Sequence, residues 1–434
     1  MKRDVFIVLD LGTSSIKCGC LTSNEQILTK KQEKFPLVRN GNSYEIDVDL
    51  FFNTVESVVL QCLSEKVVQD RRIAALLITG QANTFVPVDN DFKPLCNGVV
   101  WLDNRADQEA DFLKGQFPDY SKYAGFRQPL AGMFASKLLW LKKNEPEVFQ
   151  NAKFFPLINE YLAYRLTNQF FSDITSFGMT GMYDFRKNDI NDQLLRILGL
   201  TKYNFPKIEQ VSKRGALITR KIANDWHIFH RSPVYLCGND QCTSASGSGL
   251  NIPGDVTINF GTALVIFSIT EEYPENLELN QIAGKYPVSN YYFVLNYEPD
   301  FGIIIKYLKE KLFEEDSYDQ LFQTYMDNPG IEERIPHVSM CDLDLMAIDR
   351  PNQFCAGILK YYVNSLKRCV ADIEKKMNIN TVFLSGAISE SKVLKRIIDK
   401  EIKHKVIINN QEFAGLVGAL KIYLSENEKS KIYL

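Results

Sequence analysis

Three short stretches carry residue types that chemistry needs. The first is Asp10-Leu11-Gly12-Thr13-Ser14-Ser15, set between the apolar runs 5–9 and 16–21. Flanking runs of that kind make it a hairpin tip and not a helix start. A carboxylate beside a glycine and hydroxyls suits a phosphate with its metal ion. The glycine lets the backbone approach, N–H and O–H groups donate to phosphate oxygens, and Asp10 faces Mg2+ directly or through water. The same residues also suit a plain polar tip, and the stretch alone leaves both readings open. The second stretch is Cys237-Gly238-Asn239-Asp240-Gln241, directly after the apolar residues 233–236. Asp240 there is a candidate general base for a hydroxyl nucleophile. Its other reading is a helix N-cap, since the small-residue run TSASGSG follows. The third is Gly261-Thr262, which joins the apolar runs 255–260 and 263–269 and repeats the design of the first.

Elements must hold these stretches in place. Residues 25–35 read as a third strand, and residues 46–68 as a helix starting near Asp47 and Asp49. Residues 73–79 read as a buried strand ending at Gly80-Gln81-Ala82-Asn83, and residues 84–88 resume as a strand. Residues 99–101 lead into Leu102-Asp103-Asn104-Arg105 and a charged helix. Three antiparallel strands, a helix, a strand and a helix make a mixed α/β unit, not a doubly wound repeat. Residues 107–230 read as largely helical. The second half closes with a helix over 354–377, a strand over 381–384, the turn Ser385-Gly386-Ala387, a helix from Ser391, a strand over 406–408 and a helix over 415–424. The strand–tip–strand design recurs about 250 residues downstream of the first copy, which predicts two domains of one basic fold, each offering a tip to a shared cleft. The boundary falls near residue 245.

Composition excludes several function classes. The chain has 434 residues, 45% hydrophobic and 24% charged, with a net charge of −3. That is an ordinary globular balance, and it gives no reason to expect nucleic acid or an anionic membrane as partner. No apolar run approaches the roughly 20 residues that a membrane helix needs. Lys2-Arg3-Asp4 runs straight into a strand without a secretory leader, so the cytoplasm is the expected location. Nine scattered cysteines without a C-x-x-C pair read as small core residues of a reducing compartment. His227 and His230 in WHIFH are the near pair of histidines, and a helix end suits them better than a metal site.

Eight segments, in order over nearly the whole chain, resemble the FGGY family of carbohydrate kinases within the actin-like ATPase superfamily. They are DLGTSSIK, GVVWLDNRA, KLLWLKKNEP, EYLAYRLT with SDITSFGMTGMYDF, CGNDQ, INFGTAL, FLSGAISES and EFAGLVGAL. The resemblance implies two actin-like (ribonuclease H-like) domains, 1–245 and 246–434, with mixed sheets flanked by helices and a cleft between. It implies ATP-dependent phosphorylation of a sugar hydroxyl with Mg2+ as cofactor, in a chain whose partner is a small sugar and which admits a homodimer. There are departures. The family's adenosine loop carries two or three glycines and a later tryptophan, whereas this chain has Ser385-Gly386-Ala387 and no tryptophan after it. Glu333-Arg334-Ile335-Pro336 faintly echoes a Gly-Glu-Arg-x-Pro segment, only 71 residues after Thr262 (333 minus 262), so the second domain reads as shortened.

Carried over residue by residue, the resemblance makes Asp240 the base and gives Asp10 to Mg2+, through water. Gly12, Thr13, Ser14, Gly261 and Thr262 serve the ATP phosphates, and Lys17 either adds positive charge or is a strand-edge lysine. Ser385, Gly386 and Ala387 receive the adenosine. The sugar pocket draws on Gln81, Ala82, Asn83, Trp101, Asp103, Arg105, Asp240 and Gln241, with Glu160 and Tyr161 weaker candidates. Trp101 reads equally as core packing, and Asp103 with Arg105 equally as a structural ion pair. The family's glycerol kinases carry Arg-Glu after the glutamine and its xylulose kinases Met-His; Ala82-Asn83 matches neither. WLDNRA and TGMYDF lean to pentulose and gluconate kinases. A ketopentose such as xylulose or ribulose is the expected substrate, with gluconate or another polyol as the alternative. The reading from another class is an actin-like nucleotide-binding regulatory protein that has lost transfer.

Overall fold

The computed structural model describes residues 4–228, 231–313, 318–337, 341 and 348–431, with side chains to residue 427; His230 lies outside them. The chain opens with the antiparallel strands β1 (Asp4–Leu11), β2 (Ser15–Leu21) and β3 (Ile27–Lys34). Helix α1 (Val48–Leu63) starts where expected: the Asp47 carboxylate accepts the N–H groups of Asp49 at 3.0 Å and Leu50 at 2.9 Å. Then follow β4 (Arg72–Gly80), α2 (Phe134–Asn144), α3 (Ile158–Thr167), α4 (Ile174–Gly178), β5 (Ala216–Leu217), β6 (Pro233–Asn239) and α5 (Asp240–Gly247). The second half contains β7 (Asp255–Phe260), β8 (Leu264–Thr270), β9 (Gln281–Lys285), β10 (Tyr292–Glu298), α6 (Phe301–Leu312), α7 (Pro351–Glu374), β11 (Thr381–Ser385), α8 (Lys392–Glu401), β12 (Val406–Ile408) and α9 (Ala414–Lys431).

The two sheets share five strands in one order, and each adds a different edge strand, β5 beside β6 in the first and β9 beside β10 in the second. The first runs β5-β6-β4-β1-β2-β3 and the second β9-β10-β8-β7-β11-β12. In each, a hairpin (β1–β2, β7–β8) pairs through its first strand with a parallel strand (β4, β11). The expected α/β pair of mixed sheets flanked by helices is therefore present. In both sheets the hairpin tip lies at the carboxyl end of the parallel strands, where open α/β sheets form their ligand crevices.

Alternation along β1 explains its continuous apolar run. Val5, Ile7 and Leu9 pack with Val55 and Val59 of α1 on one face. Phe6 and Val8 point the other way, to Leu416, Val417 and Leu420 of α9. The last helix thus returns from the far end of the chain to cover the first sheet. It meets α5 with no room to spare: a Cβ on Gly247 would stand 2.0 Å from Ala414 O, and one on Gly418 1.8 Å from Thr243 O. One face of the second sheet packs on α6, α7 and α8 through Ile258, Ile304, Ile358 and Ile397. Its other face, with Phe267 and Phe293, joins Phe126, Phe177 and Phe185 from the segment after β4.

Two expectations change. Residues 84–88 form no ladder; Phe85 makes single bridges to Val99 and Leu157, and Val88 to Pro94 and Phe154. The segment's backbone groups are met by residues 153–158 and by Val99 without the regular register of a ladder: Val86 N–H donates to Pro156 O and Val88 N–H to Phe154 O, both at 3.0 Å, and Ile158 N–H donates to Thr84 O at 2.9 Å. Residues 107–230 are less helical than read, with short helices separated by loops and by the pairs Phe171–Asp173 with Lys207–Glu209 and Tyr183–Asp184 with Asp189–Ile190. Aromatic packing holds this region together. No helix among the described residues is long and apolar enough to cross a membrane.

Candidate functional site

The β1–β2 tip is closed by Gly12, whose N–H donates to Asp10 O at 3.2 Å and Ser15 O at 3.1 Å. A Cβ on Gly12 would stand 2.8 Å from Ser15 O, so the tip requires a residue without a side chain. Asp10 is the partner of Lys17 across the hairpin, and the Lys17 ammonium reaches its carboxylate at 3.1 Å. Asp10 is 7% exposed, Thr13 half-buried and Ser14 exposed.

Strand register brings Asp240 to the same edge. Asp10 lies beside Thr79 of β4, and Gly80 of β4 beside Asn239 of β6. Asp240 follows at once as the first residue of α5. The cap of α5 belongs to Asn239, whose Oδ1 accepts Cys242 N–H at 3.0 Å, so the Asp240 carboxylate is not used as the cap. Burial, and then the Asp10 charge, push the Asp240 carboxyl up to about 6; Lys17 pulls the other way. Two aspartates 230 positions apart (240 minus 10) thus feel one another in one partly desolvated place. Gln241, the next residue, is exposed.

Around the tip runs a continuous hydrogen-bonded network. Gln81 Nε2 donates to Gly12 O at 3.1 Å, and Thr84 Oγ1 donates to Gln81 Oε1 at 2.8 Å. Trp101 N–H donates to Thr84 Oγ1 at 3.0 Å, and the Trp101 indole N–H to Thr13 Oγ1 at 2.8 Å. Trp101 is 44% exposed, so its ring is not core packing. Ala82 is half-buried. Asn83 takes a left-handed backbone (φ 62) and commits its amide to the backbone: Oδ1 accepts Phe134 N–H and Nδ2 donates to Met179 O, each at 2.9 Å.

Asp103 and Arg105 stand just behind. Asp103 is fully buried and accepts Tyr44 N–H at 2.7 Å and Arg105 Nε at 2.9 Å; Arg105 also reaches Glu45 at 2.7 Å and stacks over Trp140. The ion pair that the sequence left open is formed. Glu160 and Tyr161 are buried as well, and Glu160 accepts Leu157 N–H at 2.8 Å at the start of α3.

One residue was missed. Lys137 of α2 is 1% exposed, and its ammonium donates to Asn83 O and Val100 O, both at 2.8 Å. It ties the 81–83 loop to the segment before Trp101. Burial without a directly bonded carboxylate drives its pKa down to about 7.

The second tip gathers the other candidates. Gly302, at the start of α6, donates its N–H to Thr262 O at 2.8 Å, and a Cβ there would stand 2.4 Å from Gly261 O. Gly386 (φ +92) lies against the end of β7, where a Cβ would stand 2.5 Å from Phe260 O. Gly261, Thr262, Ser385, Gly386 and Ala387 therefore share one end of the second sheet. From there the chain leads back to the first tip. Ser389 Oγ donates to Asn410 Oδ1 at 2.8 Å, and five residues later Gly415 faces Asp10, its would-be Cβ 3.2 Å from Asp10 Oδ2. The segment from Ser389 to Gly415 thus runs from one group of residues to the other.

The donor set fits Mg–ATP. Asp10 offers a hard carboxylate oxygen beside small residues and hydroxyls. Among the described residues no three His, Cys, Asp or Glu side chains are arranged to cage a metal. An ion held by one or two carboxylates, water and substrate phosphates matches how Mg2+ is bound.

The sequence profile of the N-terminal domain of the FGGY family of carbohydrate kinases matches residues 5–247. The chain belongs to this family. Among curated FGGY kinases, the xylulose kinase of Escherichia coli (strain K12) is 26% identical over 270 residues, 62% of this chain and 55% of that protein. The xylulose kinase of Bacillus subtilis (strain 168) is 22% identical over 319 residues, 73% of this chain and 64% of that one. The gluconokinase of Bacillus subtilis (strain 168) is 22% identical over 305 residues, 70% and 59% respectively. The matched region thus spans less than two thirds of each relative's length. Over 98% of this chain and 90% of the other, the fold superposes on a gluconate kinase from Lactobacillus acidophilus with a TM-score of 0.87 at 18% identity. A xylulose kinase from the same organism gives 0.86 over the same shares, also at 18% identity. The actin-like two-domain architecture expected of an FGGY kinase is the architecture of this chain.

Proposed function

We propose that this FGGY-family protein transfers the γ-phosphoryl group of ATP to a hydroxyl of a small sugar, with a ketopentose of the xylulose or ribulose kind as acceptor. The observation that carries the reading is that strand register brings Asp10 and Asp240 to one sheet edge, where burial and the neighbouring charge push the Asp240 carboxyl up to about 6. A carboxyl so placed is ionised at neutral pH yet basic enough to take a hydroxyl proton. Mg–ATP, once bound, supplies the electrophilic phosphorus. Asp240 accepts the proton as the sugar oxygen bonds to that phosphorus and the bond to the ADP oxygen breaks. Asp10 would hold the metal ion through water, and Lys17 balances the Asp10 charge. Gly12, Thr13 and Ser14 of the first tip and Gly261 and Thr262 of the second hold phosphate oxygens. Ser385, Gly386 and Ala387 receive the adenosine. Trp101 offers its face to sugar C–H groups beside Gln81, Ala82, Asn83 and Gln241, while Asp103 and Arg105 brace that wall from behind. Residues 1–245 are the sugar-binding unit and residues 246–434 the nucleotide unit, with α9 returning to the first. Closure of the two excludes water from the transfer.

The similarity to a gluconokinase favours a second acceptor class, the aldonates. A coupled ADP-release assay over ketopentoses, polyols and aldonates separates the two. Asp240→Asn is expected to abolish turnover while sugar binding survives. A near-normal rate in that variant removes Asp240 as the base, and a broad panel without sugar-stimulated turnover removes the kinase reading.

A further inference from the structure

The backbone that aims Asp240 is fixed by neighbours that touch neither tip. Asp173 closes the short strand Phe171–Asp173 and is 1% exposed. Its Oδ1 accepts three bonds: Thr175 N–H at 3.0 Å, Ser176 N–H at 2.9 Å and the Thr175 hydroxyl at 2.7 Å. Its Oδ2 is buried with no partner. A hydroxyl has one proton, and Thr175 gives it to Asp173. The Thr175 oxygen is then free to act only as an acceptor, and it accepts Asn239 N–H at 3.0 Å. Asn239 answers with its amide, Nδ2 donating to Thr175 O at 3.1 Å. The other end of that amide caps α5, whose first residue is Asp240.

Adjacent contacts leave this segment little freedom. Gly238 has φ +98, and a Cβ there would stand 2.8 Å from Thr175 Oγ1. From the opposite side Thr79 Oγ1 donates to Gly238 O at 2.8 Å and lies 2.9 Å from Thr243 Oγ1. The threonine on α4 therefore holds the end of β6 against β4, with Asp173 dictating the direction of its bond. A neutral side chain in place of Asp173 would avoid an orphaned buried oxygen. The carboxylate takes the Thr175 proton, so that the hydroxyl oxygen keeps its lone pairs for Asn239 N–H.

We propose that Thr175, oriented by Asp173, is a positioning residue for Asp240: the chain Asp173–Thr175–Asn239 fixes the backbone from which the Asp240 carboxylate reaches the acceptor hydroxyl. This rests on the phosphoryl-transfer reading above. It adds a role for the SDIT segment, whose residues lie one element away from the crevice. A misplacement of about 1 Å at a reacting group is enough to lower a rate by roughly 100-fold.

Thr175→Val keeps the shape and removes both bonds; Thr175→Ser keeps the hydroxyl. The expected result for Thr175→Val is a fall in kcat of about tenfold to 100-fold, with KM for sugar and ATP within about threefold of the parent. Thr175→Ser is expected to return kcat to within about threefold. A second readout does not need turnover. With 13C-carboxyl aspartate labelling, the Asp240 titration midpoint is expected to move in Thr175→Val and to stay in Thr175→Ser. If Thr175→Val is insoluble, Thr175→Ala is measured in its place with the same expectation. Unchanged kcat and an unmoved Asp240 midpoint overturn the proposal. So does a loss in Thr175→Val that Thr175→Ser shares, because that points to α4 packing and not to the hydroxyl. Absence of sugar-dependent turnover in the parent defeats the kinase reading instead, and the Asp240 midpoint still decides whether Thr175 positions it.

Discussion

Trp101 and Thr13 are joined side chain to side chain, indole N–H to hydroxyl oxygen, at 2.8 Å. One belongs to the wall proposed for the sugar and the other to the tip proposed for phosphate. Sugar and nucleotide sites therefore share a bond before either is filled. Trp101→Phe keeps an aromatic face and deletes the N–H. A single neutral hydrogen bond contributes about 1 kcal/mol, so roughly a fivefold rise in KM for the sugar is expected with KM for ATP held within about twofold. Equal rises in both, measured by initial-rate kinetics, would mean that the ring acts through the tip and not on the sugar.

As the proposed base, Asp240 should set both a rate and a stability. Its folded pKa is raised to about 6 by burial and by Asp10. As a base it must be ionised, so kcat/KM should fall as pH drops below about 6. For stability the sign is opposite. A carboxyl whose pKa is raised on folding contributes stability that is present below its unfolded pKa and lost as pH rises through 6. Asp240→Asn should therefore melt higher than the parent at pH 8, by an amount of order 1–2 kcal/mol, while being inactive. Thermal melts at pH 5 and pH 8 check this: the gap between variant and parent must widen with pH.

Lys137 holds two loop carbonyls in the interior. Lys137→Met leaves Asn83 O without its donor, while Val100 O keeps Asp103 N–H at 3.0 Å, at a cost of about 1–3 kcal/mol. Kinetically the loss should fall on KM for the sugar, because Asn83 and Trp101 lie on the two loops it joins. The pH signature is that of a depressed amine. Between about 7 and the unfolded value near 10.4 the unfolded chain binds more protons, so the parent gains stability as pH rises there. Denaturant melts at pH 7 and pH 9.5 should show the parent pulling ahead of Lys137→Met, and parallel curves would argue that the amine is never neutral.

Glu160 is held near 8 by burial, against the bonds from Ser172 and Leu157 that favour its anion. Its stabilising contribution is complete below the unfolded value near 4.3 and drains away as pH rises to about 8. Glu160→Gln mimics the protonated acid. It should leave kcat within about twofold and remove part of the parent's loss of stability between pH 5 and pH 8. A variant that loses sugar binding instead would return Glu160 to the pocket.

Much of this crevice is legible in the sequence because chemistry follows a strand end there. Asp10 comes directly after an apolar run and Asp240 four residues after one, and each run marks the strand and the edge where it stops. Lys137 is harder to see among the lysines of KLLWLKKN, yet a signal exists. It lies three residues after Phe134 and four before Leu141, both buried, which puts it on the apolar face of α2. The fate of Asp103 and Arg105 was open for a different reason. Their pairing depends on Glu45 and Tyr44, about 60 residues upstream, and local spacing has no access to such a partner. Residues 84–88 fail in the other direction. The run is strand-like in composition, but a ladder needs partners in continuous register, and this segment makes only single bridges, to the two-residue strand Gly98–Val99 and to irregular backbone.

Helix α9 has a consequence for the order in which the protein can be made. The face of β1 that shows Phe6 and Val8 stays bare until Leu416 and Leu420 arrive. At a ribosomal pace of roughly 5–20 residues per second, the ~170 residues between α5 and α9 take on the order of ten to thirty seconds to emerge. During that interval the newborn first sheet shows an apolar surface to solvent, and a chaperone is the natural temporary cover. A nascent chain truncated before α9 should aggregate even though every residue of its sheet has been translated.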